Sequence, residues 1–420
     1  MQVSTEIYDL ITFYVENIEN TGLHFGQEDP RRYNIRGSGS KQMLANLRLV
    51  SKAFCMSVSP RLFRHVVAEL YSSSRTGHSP LVRLIEISKS RYAIYVRQID
   101  FRFYSYSSGS ADRPDVEDLA GILPPCLVRF TNLRALTFDK PPSDLSQEKT
   151  RVYIHSVIAA FRDVPLPNLE ELEIHFPIAH NFGQFFPLKT SAVQIPITDV
   201  IQRLRRLELA VCAYTDHRHQ RYWRKPISPE YAALPNEDHA SYLFKMIEPA
   251  INLTSLSIRG LDIIDLDTVK FSPSLRLRFL TLSCVSISAQ NLLSLMVQSR
   301  QSLRVIGLEL VKLNTETWHH VLLEMSKFPQ LVDFHIDSSG YSLTGSSSHF
   351  VPGLLPEPDD PSAIETRERH DIPALGNLVR AVNANRVKTG LQPLSDYEYK
   401  FARLPPLETQ LQDLDLGSGP

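Results

Sequence analysis

One spacing constrains this chain more than any other: L-x-x-L-x-L, carried by Asn168-Leu169-Glu170-Glu171-Leu172-Glu173-Ile174 and repeated along most of its length. Copies stand at Val96/Ile99/Phe101, Leu133/Leu136/Phe138, Leu204/Leu207/Leu209, Leu253/Leu256/Ile258, Leu277/Leu280/Leu282, Leu303/Ile306/Leu308 and Leu331/Phe334/Ile336. They recur at intervals of roughly 24 to 37 residues, with one of about 49. Alternate side chains of a strand share a face, so the second and third apolar positions of each copy point together into a core. One such unit cannot bury that face alone; stacked units share a continuous core and predict a curved solenoid with an exposed, concave strand face. A chain of this kind is a binding scaffold first.

Between the strands the sequence returns to helical period, as a leucine-rich repeat requires. Leu81, Leu84 and Ile85 follow a helix start at Ser79-Pro80, and Ile154/Val157/Ile158/Phe161, Leu243/Met246/Ile247/Ala250 and Trp318/Val321/Leu322/Met325 form further stripes. The first strand is expected over Tyr95 to Phe103. The unit from Leu253 to Leu277 has room only for a turn or 3₁₀ segment.

Composition excludes several classes. A formal net charge of -1 gives no general attraction to nucleic acid or to an anionic membrane. Cys55, Cys126, Cys212 and Cys284 lie far apart with no C-x-x-C pairing, which argues against a zinc ribbon or a disulfide framework and for a reducing compartment. Glu6 and Asp9 interrupt the first apolar pattern and no apolar run reaches spanning length, so a cytoplasmic or nuclear location is expected. The sequon Asn252-Leu253-Thr254 is then a coincidence of a strand core.

At the amino terminus, Ile7, Leu10, Ile11 and Tyr14 sit at i, i+3, i+4, i+7 behind Ser4 or Thr5, which predicts an amphipathic helix. Glycines and charges over Glu19 to Gln42 read as a mobile loop. Leu44, Leu47, Val50 and Phe54 resume the helical period, and Ser59-Pro60 opens a third predicted helix carrying Leu62, Phe63, Val66, Val67 and Leu70.

The run Leu47-Arg48-Leu49-Val50-Ser51-Lys52-Ala53-Phe54, followed by Val58-Ser59-Pro60-Arg61-Leu62-Phe63-Arg64-His65-Val66, resembles the second half of a fungal F-box, and Thr5-Glu6-Ile7-Tyr8-Asp9-Leu10-Ile11 resembles its first helix. The resemblance covers about the first seventy residues. It implies a three-helix module that docks on a Skp-family adaptor, with leucine-rich repeats behind it acting as substrate receptor of a cullin ubiquitin ligase. By the same resemblance the adaptor contacts are Ile7, Leu10, Ile11, Leu49, Val50, Leu62 and Phe63, some of which must also serve the helices' own core. The family's Leu-Pro before the first helix is Val3-Ser4 here.

Residues alternating with the buried strand positions form the expected recognition strip. Its central row is Asp100, Thr137, Glu173, Glu208, Ser257, Thr281, Gly307 and His335; Arg102, Asp139, Glu171, His175, Arg206, Arg259, Glu309, Asp333 and Asp337 flank it. Of these, Arg102, Glu171, Glu173, His175, Arg206, Glu208, Arg259 and His335 are the candidate partner contacts. The insertion Tyr214 to Lys225 adds Arg218, Arg221, Tyr222, Trp223 and Arg224, residue types that dominate binding hot spots. Tyr222 and Trp223 serve equally well as a seal between irregular repeats.

Signals for chemistry are weak. Cys212, His217 and His219 lack a fourth ligand at recognisable spacing, adjacent His319 and His320 cannot share a helix face, and Gly340-Tyr341-Ser342-Leu343-Thr344-Gly345 misses the nucleophile elbow and reads as a loop. No catalytic residue, cofactor or metal is expected. Beyond Tyr341 a Ser/Gly/Pro-rich linker leads to a helix bearing Ala374, Leu375, Leu378, Val379 and Val382, closed by Gly390, which would cap the solenoid.

The sequence thus predicts an α/β leucine-rich-repeat solenoid (73–341) preceded by a three-helix F-box-like module (1–72, with an internal loop 19–42) and followed by a linker, capping helix and mobile tail (342–420). The function expected is a non-catalytic protein-interaction adaptor whose partners are a Skp-family adaptor and an unknown protein substrate, with no nucleic acid and no membrane. An interaction scaffold of the same fold without an adaptor is the rival reading, and an enzyme without a recognisable motif is the third.

Overall fold

The computed structural model describes residues 4–17, 38–70, 80–103, 116–143, 145–186, 195–217, 226–342, 364–366 and 368–394. The fold is α/β, built from repeats whose strands pair in parallel. The first elements are α1 (Thr5–Asn17), α2 (Ser38–Val50), α3 (Lys52–Leu62), β1 (His65–Glu69), α4 (Pro80–Lys89), β2 (Gln98–Arg102), α5 (Leu119–Leu127), β3 (Ala135–Phe138), α6 (Gln147–Asp163), β4 (Glu171–Phe176), α7 (Ile197–Ile201) and β5 (Arg206–Val211). There follow α8 (Pro229–Ala232), α9 (Asn236–His239), α10 (Ser241–Ile247), β6 (Ser255–Asp265), β7 (Phe279–Ile287), α11 (Ala289–Val297), β8 (Val305–Leu313), α12 (Trp318–Met325), β9 (Asp333–Asp337), β10 (Gly340–Tyr341) and α13 (Asp371–Lys388). Two compact units divide the chain: Met1–Pro177 with Asn181–Leu207, and Ile178–His180 with Glu208–Pro420.

In the first unit β1, β2, β3 and β4 pair in parallel, with Ile99, Leu136 and Leu172 in one register row and Phe101, Phe138 and Ile174 in the next. All six are fully buried, and the Phe101 and Phe138 rings stack at 5.0 Å. A fully buried side chain of this size stabilises by about 1.5–3 kcal/mol, so these rows contribute substantially to holding the repeats of this unit together. Asn132 and Asn168 donate to the Ile94 and Thr131 carbonyls, tying each turn to the repeat before it.

Four details differ from the sequence reading. Helix α3 does not open at Ser59-Pro60 but starts after Ser51, whose extended backbone and Oγ, accepting from Phe54 N at 3.2 Å, separate it from α2. It ends at Leu62, and Val66 to Glu69 lie in β1 instead, because the Arg64 carbonyl accepts from Arg97 N and Gln98 N and Val66 pairs with Ile99. Leu62, Phe63, Val66, Val67 and Leu70 satisfy the helical period, but Val66, Ala68 and Leu70 alternate as a strand, and pairing with β2 decides between them. Residues 38–42, within the expected loop, begin α2, and β2 starts at Gln98 behind a 3₁₀ turn at Ala93–Tyr95.

In the second unit β6, β7 and β8 run in parallel, and β9 and β10 pair with successive halves of β8. Each long strand carries one irregular step at the same level. The register shifts between Arg259 and Ile264, and Cys284, Leu310 and Ser338 adopt left-handed φ values of 55°, 52° and 49°. A bulged residue inverts the alternation, so Leu280/Leu282 and Val285/Ile287 are all buried although their parity differs. Gly260 takes part because a Cβ there would lie 2.5 Å from the Asp262 carbonyl. As expected, no helix joins β6 to β7. Gly340 and Tyr341, read as loop, form β10, whose close approach to the Glu365 backbone leaves no room for a Cβ at Gly340.

Helix α13 packs on α12 with Ala374, Leu375, Leu378 and Val382 buried and ends before Gly390 at φ +78°. Asn385 donates to the Phe328 and Leu331 carbonyls and Arg386 to that of Val332, so the helix covers both apolar surface and backbone acceptors. No helix among the described residues is long and apolar enough to cross a membrane.

Candidate functional site

Helix α1 is turned against its own amphipathicity. It meets α3 through a largely polar stripe: Ser57 Oγ donates to Asp9 (2.5 Å) and lies 3.0 Å from the Thr12 hydroxyl, Arg61 pairs with Glu16 at 2.7 Å, and Tyr8 meets Phe54 edge-on at 4.7 Å. Thr12 is fully buried there. The apolar stripe of Ile7, Leu10, Ile11 and Tyr14 is left outward, with Leu10 53% exposed. At the end of α2, Leu49 and Val50 are still more open, Leu49 at 84%. Leu62 and Phe63 differ: both are half-buried, and the Phe63 ring stacks on Tyr92 at 4.5 Å with the Arg48 guanidinium over both rings. Five of the seven apolar candidates therefore face outward on α1 and α2, and two support the module itself.

Nearby, Arg48 and Ser59 hold the Cys55 thiol below the usual thiol range by hydrogen bonding. Cys284 is the opposite case: burial pushes its thiol up to about 12. None of the four cysteines forms a disulfide.

The strand faces carry the predicted rows in register. In the first unit Asp100, Thr137 and Glu173 are adjacent across β2, β3 and β4. Asp100 is nearly buried and accepts from His65 (2.9 Å), Gln98 (3.0 Å) and Arg102 (2.6 Å). Burial pushes its carboxyl up; the His65 hydrogen bond and charge, the Gln98 hydrogen bond and the Arg102 charge outweigh that and hold it down to about 2. His175 stands between Glu173 (3.1 Å) and Asp139 (3.5 Å). Glu171 and Arg206 are half-buried on β4 and β5.

In the second unit Ser257, Thr281, Gly307 and His335 form the corresponding row. Arg259 pairs with Glu208 at 3.4 Å, and Ser283 donates to Glu309 at 3.1 Å. His335 and Arg259 are exposed, whereas Glu208 and Ser257 are buried. The faces are thus bonded within themselves more tightly than a solvated polar strip requires. Of the aromatic-basic insertion, Arg218, Arg221, Tyr222, Trp223 and Arg224 lie outside the described residues. The start of that segment is anchored: Thr215 donates twice to Asp262, and Asn236 bridges Asp262, Thr215 and the Ala179 amide.

Within either unit taken by itself, no three metal-ligating side chains converge among the described residues. A basic row escaped the sequence reading: Arg64, Arg97 and Arg134 each immediately precede a strand, and Arg97 N and Arg134 N donate to the carbonyl of the arginine before them. Its signal in the sequence is an arginine after the first apolar position, which five of the repeats carry, behind Val96, Leu133, Leu204, Leu277 and Leu303.

No family model and no curated protein matches the chain. Among solved structures it is similar to a crystal structure of a Bacteroides fragilis protein from a structural genomics programme, at 13% identity over 63% of this chain and 72% of that one, with a TM-score of 0.30. So loose a likeness carries no argument about function.

Proposed function

We propose that the chain is a non-catalytic interaction adaptor, the substrate receptor of a Skp/cullin/F-box ubiquitin ligase, which docks on a Skp-family adaptor through α1 and α2 and offers its strand faces to a protein target. The observation that carries this reading is the orientation of α1: its polar stripe is spent on α3 while Ile7, Leu10 and Ile11, with Leu49 and Val50 of α2, stay exposed. Isolated exposed apolar residues are ordinary, but a helix that packs by its polar side and presents its apolar side suits a partner that buries it. No bond is broken by such a protein; it raises the local concentration of target beside a conjugating enzyme. An adaptor-free scaffold is the second reading, favoured by Val3-Ser4 where the F-box family has Leu-Pro.

The test is a pull-down of the full chain with a purified fungal Skp-family adaptor, beside a Leu10→Asp/Leu49→Asp variant. Both positions are exposed, so the variant keeps the wild-type circular dichroism and loses the complex. A folded wild-type chain that captures no adaptor leaves the scaffold reading.

A further inference from the structure

We propose that a groove on the first unit binds an acidic, apolar-bearing peptide segment of a partner protein, with Arg64 and Arg97 gripping its carboxylates. The groove has a volume of about 510 Å³ and lies against α1, α3 and the 3₁₀ turn at Ala93–Tyr95. Its charged side chains are Asp9, Glu16, Arg61, Arg64 and Arg97. Three of these have partners: Asp9 accepts from Ser57, and Glu16 pairs with Arg61. Arg64 and Arg97 have no carboxylate within ion-pair distance among the described residues, and both are exposed.

Their placement follows from the sheet. Arg97 N and Gln98 N donate to the Arg64 carbonyl at 2.9 and 3.0 Å, so the two arginines leave neighbouring strands at one level, about 4.8 Å apart. Arg134 repeats the step on the next strand, and there a carboxylate does stand beside it, Glu170 at 3.7 Å. The row therefore has an ion-paired carboxylate where it leaves the groove, whereas inside it the two carboxylates, Asp9 and Glu16, are bonded to Ser57 and Arg61 and leave Arg64 and Arg97 for a ligand. Two exposed arginines whose backbones stand one strand spacing apart suit carboxylates, each of which takes paired N–H donors from a guanidinium.

The walls say what else the ligand carries. Met56 is 69% exposed and Ile94 52%, with Pro60 and Tyr95 beside them, so the occupant brings aliphatic side chains next to its acids. Nucleic acid is disfavoured, because two arginines in a chain of net charge -1 make a small footprint and Met56 and Ile94 offer no stacking platform. None of the seven apolar residues assigned to adaptor docking lines this groove, so the inference stands apart from that assignment.

The experiment is fluorescence anisotropy on the full chain with a short labelled peptide alternating Glu and Leu. Expected are saturable binding that weakens as salt rises, and a Kd raised about tenfold or more in an Arg64→Glu/Arg97→Glu variant whose circular dichroism is unchanged. The charge-reversed variant should instead bind a peptide alternating Lys and Leu, a gain that damage to the fold would not produce. No saturable binding of the Glu-Leu peptide, equal binding by wild type and variant, or an equally tight complex with a single-stranded oligonucleotide would overturn the proposal.

Discussion

Asp100 shows how much one polar residue contributes when the fold surrounds it with donors. Its carboxyl lies at about 2 against an ordinary 3.8, a difference equivalent to about 2 kcal/mol of preference for the charged form in the folded chain. A group depressed on folding stabilises the protein above its unfolded value, and the contribution is lost as pH falls through the folded one. Asp100→Asn should therefore be about 2 kcal/mol less stable than wild type at pH 7, and the gap should narrow below about pH 4 and close toward pH 2. Urea unfolding across that range measures it; a gap that stays constant would assign the cost to lost shape rather than lost charge. The sequence placed Asp100 correctly on a strand face but gave no warning of its burial. Gln98 and Arg102 lie two residues away on the same face and were legible as neighbours, whereas His65 comes from β1, a strand that helical periodicity concealed.

Elements were read well where apolar spacing had a single interpretation. The stripes in α4, α6, α10, α12 and α13 and the L-x-L cores of β3, β4, β6, β7 and β8 fall where periodicity puts them. What remained invisible depends on contacts distant in sequence, such as β10 and the buried pair that secures it. Lys312 on β8 donates to Glu365 at 2.9 Å, their side chains 9% and 0% exposed, while Ser339 bridges to Ile364. Seen alone, Glu365 sits in a polar stretch and carries no sign of a core position. Removing Lys312 alone leaves a carboxylate buried without its cation, so Lys312→Met should cost about 3–5 kcal/mol. Lys312→Met/Glu365→Leu should recover most of that loss, since both desolvation penalties disappear together. Guanidinium unfolding of the two variants decides; a double variant as unstable as the single would mean that the pair matters through its other contacts and not through its charge.

For the whole molecule the sequence conveyed the repeat architecture and an amino-terminal helical segment, because both are written in local apolar spacing. It could not divide the apolar residues of that segment between packing and display: Ile7, Leu10 and Ile11 look like a core stripe, and only the polar bonding of Asp9, Thr12 and Glu16 turns them outward. It also gave no view of the groove, which joins residues from α1, α3 and the turn before β2. If the two proposed surfaces are separate, their perturbations must be additive, since residues without shared partners couple by less than about 0.5 kcal/mol. Leu10→Asp/Leu49→Asp should abolish adaptor capture and leave the affinity for the Glu-Leu peptide within about twofold of wild type. Arg64→Glu/Arg97→Glu should do the reverse, and the fourfold variant should lose both. Should the arginine variant also release the adaptor while remaining folded, the groove would belong to the adaptor's footprint, and the acidic segment it binds would have to be the adaptor's own.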